Sequence, residues 1–183
     1  FRFSLIIGLL ISSQISAQQN QFEWAHSTGG STNADFANSV TTDAFGNVYV
    51  TGKFSGTVDF DPGVGITNLT SSGSGDVFLQ KLDANGVFVW AKKFGGSTGA
   101  DQGLTLAADD HAIYLGGIFK KATDFDPGQG VTTLTPPSNN TEAFIVKLDL
   151  NGNFVWAQQY GGSGNDQVTE FRLDGAGSLY MVG

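Results

Sequence analysis

The chain repeats itself with a period of about 66 residues, and this repeat constrains its fold more than any other feature. Trp24, Trp90 and Trp156 are spaced 66 residues apart, and a Gly-Gly pair begins five residues after each of them. The segment VDFDPGVG recurs as TDFDPGQG, and DVFLQKLDANGVFVWAKKFGG recurs as EAFIVKLDLNGNFVWAQQYGG. Self-similarity at one fixed period indicates a repeat architecture, in which each copy is one structural unit.

Each copy is predicted to form four short antiparallel strands. In the first copy the β-branched and alternating segments are Ser39–Thr42, Val48–Phe54, Val77–Leu82 and Val87–Lys92. The last two segments are joined through Asn85-Gly86, a pair that supplies the positive φ angles of a tight hairpin. A four-stranded antiparallel meander of this size is typical of one blade of a β-propeller.

The period exceeds the roughly 40–50 residues of a plain blade, and the surplus falls between the second and third strands. Residues 57–60 and 66–70 are predicted to form a small projecting hairpin. Its tip, Asp61-Pro62-Gly63, fits a type II turn with Pro and Gly at the two central positions.

A blade cannot bury both of its faces alone, so the blades are predicted to stack face to face. The strict recurrence of the aromatic positions favours core packing over ligand-stacking platforms. The fold class is therefore all-β: four-stranded propeller blades with an inserted hairpin, in an incomplete ring. The predicted parts of the propeller at 18–183 are a fourth-type strand at 22–26, blades at 37–94 and 103–160, and a half blade at 166–183. The residues predicted to pack between blades are Phe78, Leu82, Phe88 and Trp90 in one copy and Phe144, Leu148, Phe154 and Trp156 in the next.

The first 17 residues differ in character from the rest. Arg2 precedes a short apolar run, Phe3–Ile11, and the segment ends on small and polar residues at Ala17. This pattern predicts a secretory signal peptide, clipped at its start, at 1–17. The run is shorter than the roughly 20 apolar residues of a spanning helix, so no membrane span is expected after signal removal.

Composition excludes several classes of function. Seventeen acidic residues against nine basic ones argue against a nucleic-acid partner, which requires clustered cations. The absence of cysteine excludes disulfides and zinc–thiolate sites.

Four recurring motifs together resemble the SBBP family of bacterial β-propeller repeats, over residues 22–183. The motifs are Trp-Ala-x-x-x-Gly-Gly, Asn-x-Tyr-x-x-Gly-x-Phe, Asp-Phe-Asp-Pro-Gly and Lys-Leu-Asp-x-Asn-Gly-x-Phe-x-Trp. The resemblance implies a large protein that is secreted or held on the outer surface of a Gram-negative bacterium, in which type IX sorting domains are common. It also implies no established enzymatic activity, so the chain is expected to be a fragment of a non-enzymatic protein whose intact ring is monomeric.

The prediction of a metal site rests on the paired aspartates of the inserted hairpin. Two carboxylates two residues apart on a strand point to one side and can share a hard cation such as calcium. On the alternative interpretation, the first Asp caps the strand end and the second sets the Pro-Gly turn. The candidate calcium ligands are Asp59, Asp61, Asp124 and Asp126; no other cofactor is expected.

Two further patterns are weaker. The segment from Gly161 to Asp166 matches the calcium-binding nonapeptide of RTX proteins, which requires tandem repetition that is missing here. Asp166 and its counterparts Asp35 and Asp101 are instead predicted to accept hydrogen bonds from loop N–H groups. The polar residues that do not recur, His26, His111, Glu170 and Arg172, have no nucleophile–base or ligand spacing.

The function predicted from sequence is a non-catalytic extracellular scaffold or binding surface for a glycan, polymer or protein. The alternative is a piece of an exported propeller enzyme, quinoprotein-like or glycan-active, whose catalytic residues lie in other blades.

Overall fold

Every regular element in the described part of the chain is a β-strand. The computed structural model describes residues 24–27, 29–30 and 35–183; the predicted signal peptide at 1–17 and the start of the predicted strand at 22–26 lie outside them. Residues 24–27 belong to no strand. The strands are β1 (Phe36–Thr42), β2 (Val48–Phe54), β3 (Thr57–Asp59), β4 (Asn68–Thr70), β5 (Asp76–Leu82), β6 (Phe88–Phe94), β7 (Gln102–Ala108), β8 (Ala112–Phe119), β9 (Thr123–Asp124), β10 (Thr133–Leu134), β11 (Glu142–Asp149), β12 (Phe154–Tyr160), β13 (Glu170–Leu173) and β14 (Leu179–Val182).

Two four-stranded antiparallel meanders form the body of the molecule. Their strand orders are β1-β2-β5-β6 and β7-β8-β11-β12, while β13 and β14 form a third, two-stranded sheet. The inserted hairpins, β3–β4 and β9–β10, are separate two-stranded ribbons between the second and third strands of each meander. The all-β fold with propeller-like blades is thus confirmed, and the described sheets form no closed ring.

The turns between third and fourth strands follow the predicted chemistry in part. Gly86 and Gly152 have positive φ angles, of 79° and 78°. Among the described residues, only glycines have positive φ. The expectation that Asn85 shares the positive φ is therefore wrong. The reason is that the loop is longer than two residues: Asp83 N–H donates to Val87 O, and the Asp83 side chain accepts the Asn85 and Val87 N–H groups.

The inserted hairpin does not project freely, which corrects the prediction. Phe60 is 1% exposed, and its ring lies 5.2 Å from that of Phe54 and 5.0 Å from that of Phe78. Phe125 is anchored in the same way, against Phe119 and Phe144. Burial of one aromatic ring per hairpin folds the ribbon back onto its own blade.

The sheets stack face to face through apolar side chains. Tyr49, Val77 and Leu79 of the first sheet pack against Leu115 and Phe144 of the second, within one continuous core. The opposite face of the second sheet packs against the third through a second core. The full set of predicted interblade residues is buried or half-buried: Phe78, Leu82, Phe88, Trp90, Phe144, Leu148, Phe154 and Trp156.

The Trp of one repeat contacts the turn of the next. A Cβ on Gly152 would lie 3.1 Å from the Trp90 indole, and a Cβ on Gly86 would lie 2.7 Å from the Trp24 indole. Each glycine therefore makes room for an indole from the preceding copy. Trp24 therefore contacts the first sheet in the way that Trp90 contacts the second sheet. Trp90 itself lies on the fourth strand of the first sheet.

Candidate functional site

Asp59 acts on the backbone of its own hairpin. Its Oδ1 accepts the Asp61 N–H at 3.0 Å and the Thr67 N–H at 2.8 Å, which joins the two arms of the ribbon. This is the geometry of the turn-forming interpretation, because one carboxylate oxygen is committed to two amides.

Asp61 shapes the tip of the hairpin. Its Oδ1 accepts the Gly63 N–H at 2.8 Å, and a Cβ on Gly65 would overlap its Oδ2. Gly63 has no positive φ, so the predicted type II turn is wrong at this position. The Asp61 side chain thus accepts an amide at the tip, although the backbone there is not that of a type II turn.

The second copy repeats this arrangement. Asp124 Oδ1 accepts the Asp126 and Thr132 N–H groups at 3.1 and 2.8 Å, and Asp126 Oδ1 accepts the Gly128 N–H at 2.8 Å. In both hairpins the second carboxylate oxygen of each Asp is not used in these bonds. The calcium interpretation of these four residues therefore stays a prediction that rests on the unused oxygens.

The same device closes turns throughout the described chain. Nine aspartates accept the N–H of the residue two positions later. Burial raises the pKa of the Asp43 carboxyl, but hydrogen bonds from Asn47, Tyr49 and Phe45 outweigh that effect and leave the pKa below its usual value. The acidic composition of the chain is thus used largely to fold its turns.

A second set of aspartates fixes the crossing from one copy to the next. Asp35, Asp101 and Asp166 each accept the N–H of the second glycine of the preceding Gly-Gly pair, at 2.7, 3.3 and 2.9 Å. Asp35 and Asp101 also accept an amide from the end of the second strand, from Ser55 and Lys120. The prediction that these aspartates accept loop N–H groups is confirmed.

Behind the second Gly-Gly pair, Gly95-Gly96, lies a buried ionic group. The side chain of Asp76 is 0% exposed, and its Oδ2 lies 3.2 Å from Lys93 Nζ and accepts the Ser72 N–H at 2.9 Å. Gly95 carries no side chain because a Cβ there would overlap this carboxylate. Burial, with a further contribution from Asp76, raises the pKa of Asp101 to about 6 despite three hydrogen bonds to it. Two carboxylates and one ammonium therefore meet at the junction between the first and second sheets.

The corresponding group at the second junction was not singled out from sequence. Glu142, 1% exposed, occupies the position of Asp76, and its Oε1 is buried with no hydrogen-bond partner among the described residues. Sequence comparison of the copies shows only a change from Asp to Glu at this position. The sequence feature that indicates this site is the loss of a positive charge at the equivalent position of the next copy, where Gln159 replaces Lys93.

The non-recurring polar residues do not converge. His111 contacts Asp110 on an exposed turn, and Arg172 pairs with Glu170 on β13. Asp109, Asp110 and His111 form a group with metal-ligand spacing in the described part of the chain, but two of the three are exposed and Asp109 already caps the turn. The Arg172–Glu170 pair is an ordinary surface ion pair.

The recurring tyrosines Tyr49 and Tyr114 lie in the core, as predicted, whereas Tyr180 is 61% exposed. Tyr49 is fully buried, its ring lies 6.2 Å from that of Trp90, and Lys81 Nζ lies 5.2 Å above it. Lys81 also donates to Leu150 O in the second sheet at 2.9 Å. The aromatic group is therefore part of the blade interface.

Comparison with known proteins agrees with this architecture. A family model described as the SBBP β-propeller repeat matches residues 23–53, which include Trp24, the first Gly-Gly pair and most of β1 and β2. The fold and this match define a repeat protein of the propeller type, one that carries an SBBP β-propeller repeat.

Two relatives match most of this chain at low identity. An uncharacterized WD repeat-containing protein of Acanthamoeba polyphaga mimivirus is 27% identical over 177 residues, which covers 84% of this chain and 13% of the relative. Regulatory protein FlaEY of Caulobacter vibrioides is 28% identical over 146 residues, which covers 78% of this chain and 15% of that protein. The chain thus spans a small part of the length of either relative. Within the described residues no helix could cross a membrane.

Proposed function

We propose that this chain belongs to an exported, non-catalytic propeller that acts outside the cell as a scaffold or binding surface for a glycan, polymer or protein. The observation that supports it is the use of the carboxylates. Nine aspartates hold turn amides and three more hold the junction loops, so these acids contribute to folding rather than to a shared reaction centre. An active site instead gathers polar groups that do not recur from copy to copy.

A shallow groove between successive hairpins is the candidate binding surface. It lies between Leu69 of the first hairpin, Lys92 on β6, and Asp126-Pro127 of the second hairpin. The groove joins a cation, a carboxylate and apolar carbons, which suits a polar ligand with apolar ring faces. A polysaccharide, whose sugar rings offer both hydroxyl groups and apolar faces, fits such a lining.

Binding and turnover can be separated with the whole chain. The purified protein is applied to a glycan array, and retained glycans are then incubated with it and analysed for products by mass spectrometry. We expect one class of glycan to be retained without products, more weakly by Lys92→Glu and unchanged by Lys120→Glu, an exposed lysine outside the groove. Product formation that copurifies with the protein and falls in a His111→Ala or Arg172→Ala variant would contradict a non-catalytic role.

Export rests on the N-terminal segment and has its own test. We expect a Gram-negative host that expresses the whole chain to remove residues 1–17 and to carry the rest out of the cytoplasm. An uncleaved cytoplasmic product, identified by N-terminal sequencing after fractionation, would contradict this proposal.

A further inference from the structure

We propose that Glu142 and Asp166 bind a divalent cation, calcium by ligand type, where the second copy passes into the third. The two carboxylates lie on either side of Gly161. A Cβ at that glycine would overlap Glu142 Oε2 and would lie 2.7 Å from Asp166 Oδ2, so the two oxygens face one small space. Calcium prefers carboxylate and carbonyl oxygens.

The buried oxygen of Glu142 points to a ligand independently. Glu142 is 1% exposed, and its Oε1 has no partner among the described residues. A buried charged group without a partner is costly, so such groups are normally paired or bind a metal. Oε1 is the second oxygen of the carboxylate whose Oε2 faces Gly161, so a cation bound beside Gly161 would pair with a carboxylate that is otherwise incompletely bonded.

The first junction shows what supplies that charge. Asp76, the counterpart of Glu142, also has one buried oxygen without a hydrogen-bond partner, Oδ1, but its Oδ2 is paired with Lys93 Nζ at 3.2 Å and accepts the Ser72 N–H. The counterpart of Lys93 in the second copy is Gln159, which carries no charge. The second junction therefore keeps both carboxylates but has lost the ammonium.

The loops around Glu142 and Asp166 are held together without any ion. Asp166 N–H donates to Thr141 O at 2.8 Å, Thr141 N–H donates to Asn165 Oδ1 at 3.0 Å, and Asn140 Nδ2 donates to Ser163 O at 2.6 Å. The Asp166 Oδ2 atom that faces Gly161 also accepts the Gly162 N–H at 2.9 Å, while Asp166 Oδ1 takes no part in that bond. The segments that carry the two carboxylates are thus prearranged.

The site is distinct from the paired aspartates of the hairpins, because it joins Glu142, the first residue of β11, to Asp166, in the loop after β12. With two carboxylates and neutral oxygens, we expect an affinity in the range of extracellular calcium modules, roughly 10⁻⁴–10⁻³ M.

Thermal unfolding of the full chain with and without calcium tests the site. After treatment with chelator, calcium at about 100 times its Kd should raise the Tm by roughly 5–10 °C, because the ion binds the native state. Sodium chloride at equal ionic strength is the control for screening. The Glu142→Gln variant should lose the calcium-dependent rise, and Asp76→Asn should keep it.

A charge replacement keeps the test informative if Glu142→Gln does not fold. Gln159→Lys restores the cation found at the first junction, so it should raise the Tm without calcium and remove the response to calcium. The Asp59→Asn, Asp61→Asn double variant should retain the response. The proposal is overturned if calcium has no effect on the wild-type chain, or if the response is lost in the hairpin variant and persists in Glu142→Gln.

Discussion

The hydroxyl of Thr105 accepts a hydrogen bond from the backbone N–H of Phe171, 66 residues further along the chain, at 3.1 Å. The hydroxyl of Ser39 accepts the N–H of Leu106 in the same way, also at 3.1 Å. Both bonds join the first strand of one sheet to the first strand of the next. The sequence period thus matches the separation, along the chain, of the residues that contact each other between consecutive sheets.

Loss of the Thr105 hydroxyl should weaken the junction between the second and third sheets. Thr105→Val keeps the shape but leaves the Phe171 N–H buried without its acceptor, which costs about 1–3 kcal/mol of unfolding free energy. Urea unfolding measures the change. Thr42→Val, on an exposed position at the end of β1, is the matched control and should change the free energy by less than about 0.5 kcal/mol. Equal effects of the two substitutions would contradict the role of this bond.

Phe125 should contribute more to stability than its counterpart Phe60. Both anchor a hairpin, but the Phe125 ring also lies 6.4 Å from that of Phe94 in the neighbouring sheet. Phe125→Ala should cost about 3–5 kcal/mol, and Phe60→Ala should cost less. Val131→Ala, at a hairpin position that is 76% exposed, should have little effect. A larger loss for Phe60→Ala than for Phe125→Ala, in denaturant titrations, would show that the hairpins do not link the sheets.

Asp101 should make stability depend on pH in the acidic range. Its pKa is raised to about 6 in the folded chain, from 3.8, mainly by burial. The folded state therefore holds the proton more tightly than the unfolded state. The resulting stabilisation is fully present below pH about 4 and is lost as the pH rises through about 6; its size is roughly 2–3 kcal/mol.

Unfolding free energies at pH 4 to 8 check this dependence. Asp101→Asn should flatten the decline between pH 4 and 7, whatever its effect on absolute stability. Asp110→Asn, at an exposed carboxylate, should leave the slope unchanged. An unchanged slope in Asp101→Asn would contradict the assignment.

The face of the first sheet that no other described sheet covers should cause the chain to self-associate. Val40 is 65% exposed there, beside Val50, Phe78 and Leu82. The corresponding face of the second sheet is covered by the first sheet. Exposed apolar patches of this kind associate, so light scattering should report oligomers that Val40→Lys reduces and Val131→Lys does not. A wild-type chain that is monomeric at all concentrations would show that this face is not adhesive.

The sequence predicted the features that are local or that recur. Alternation of residues fixed the strands, and the repeat of Asp35, Asp101 and Asp166 beside Gly-Gly indicated their bonds to loop amides. The direction of the hairpins could not be predicted, because it depends on contacts of Phe60 with Phe54 and Phe78, which belong to the sheet and not to the hairpin. The burial of Glu142 was equally hidden, because Gly161 comes next to it through the pairing of β11 with β12, and Asp166 lies on the loop that leads to the next sheet.

The central claim, that each period is one blade stacked on its neighbours, is tested most directly by urea unfolding of a chain with one additional period. Residues 102–166 are duplicated in tandem, and a duplication of 102–149, which omits the fourth strand, is the matched control. If the account holds, the full duplication unfolds in one cooperative transition with a larger m value and a higher unfolding free energy than the wild-type chain, because one more blade interface is buried. The control should be less stable than the wild-type chain. A full duplication that unfolds in a separate transition, or that is no more stable than the control, would contradict the account.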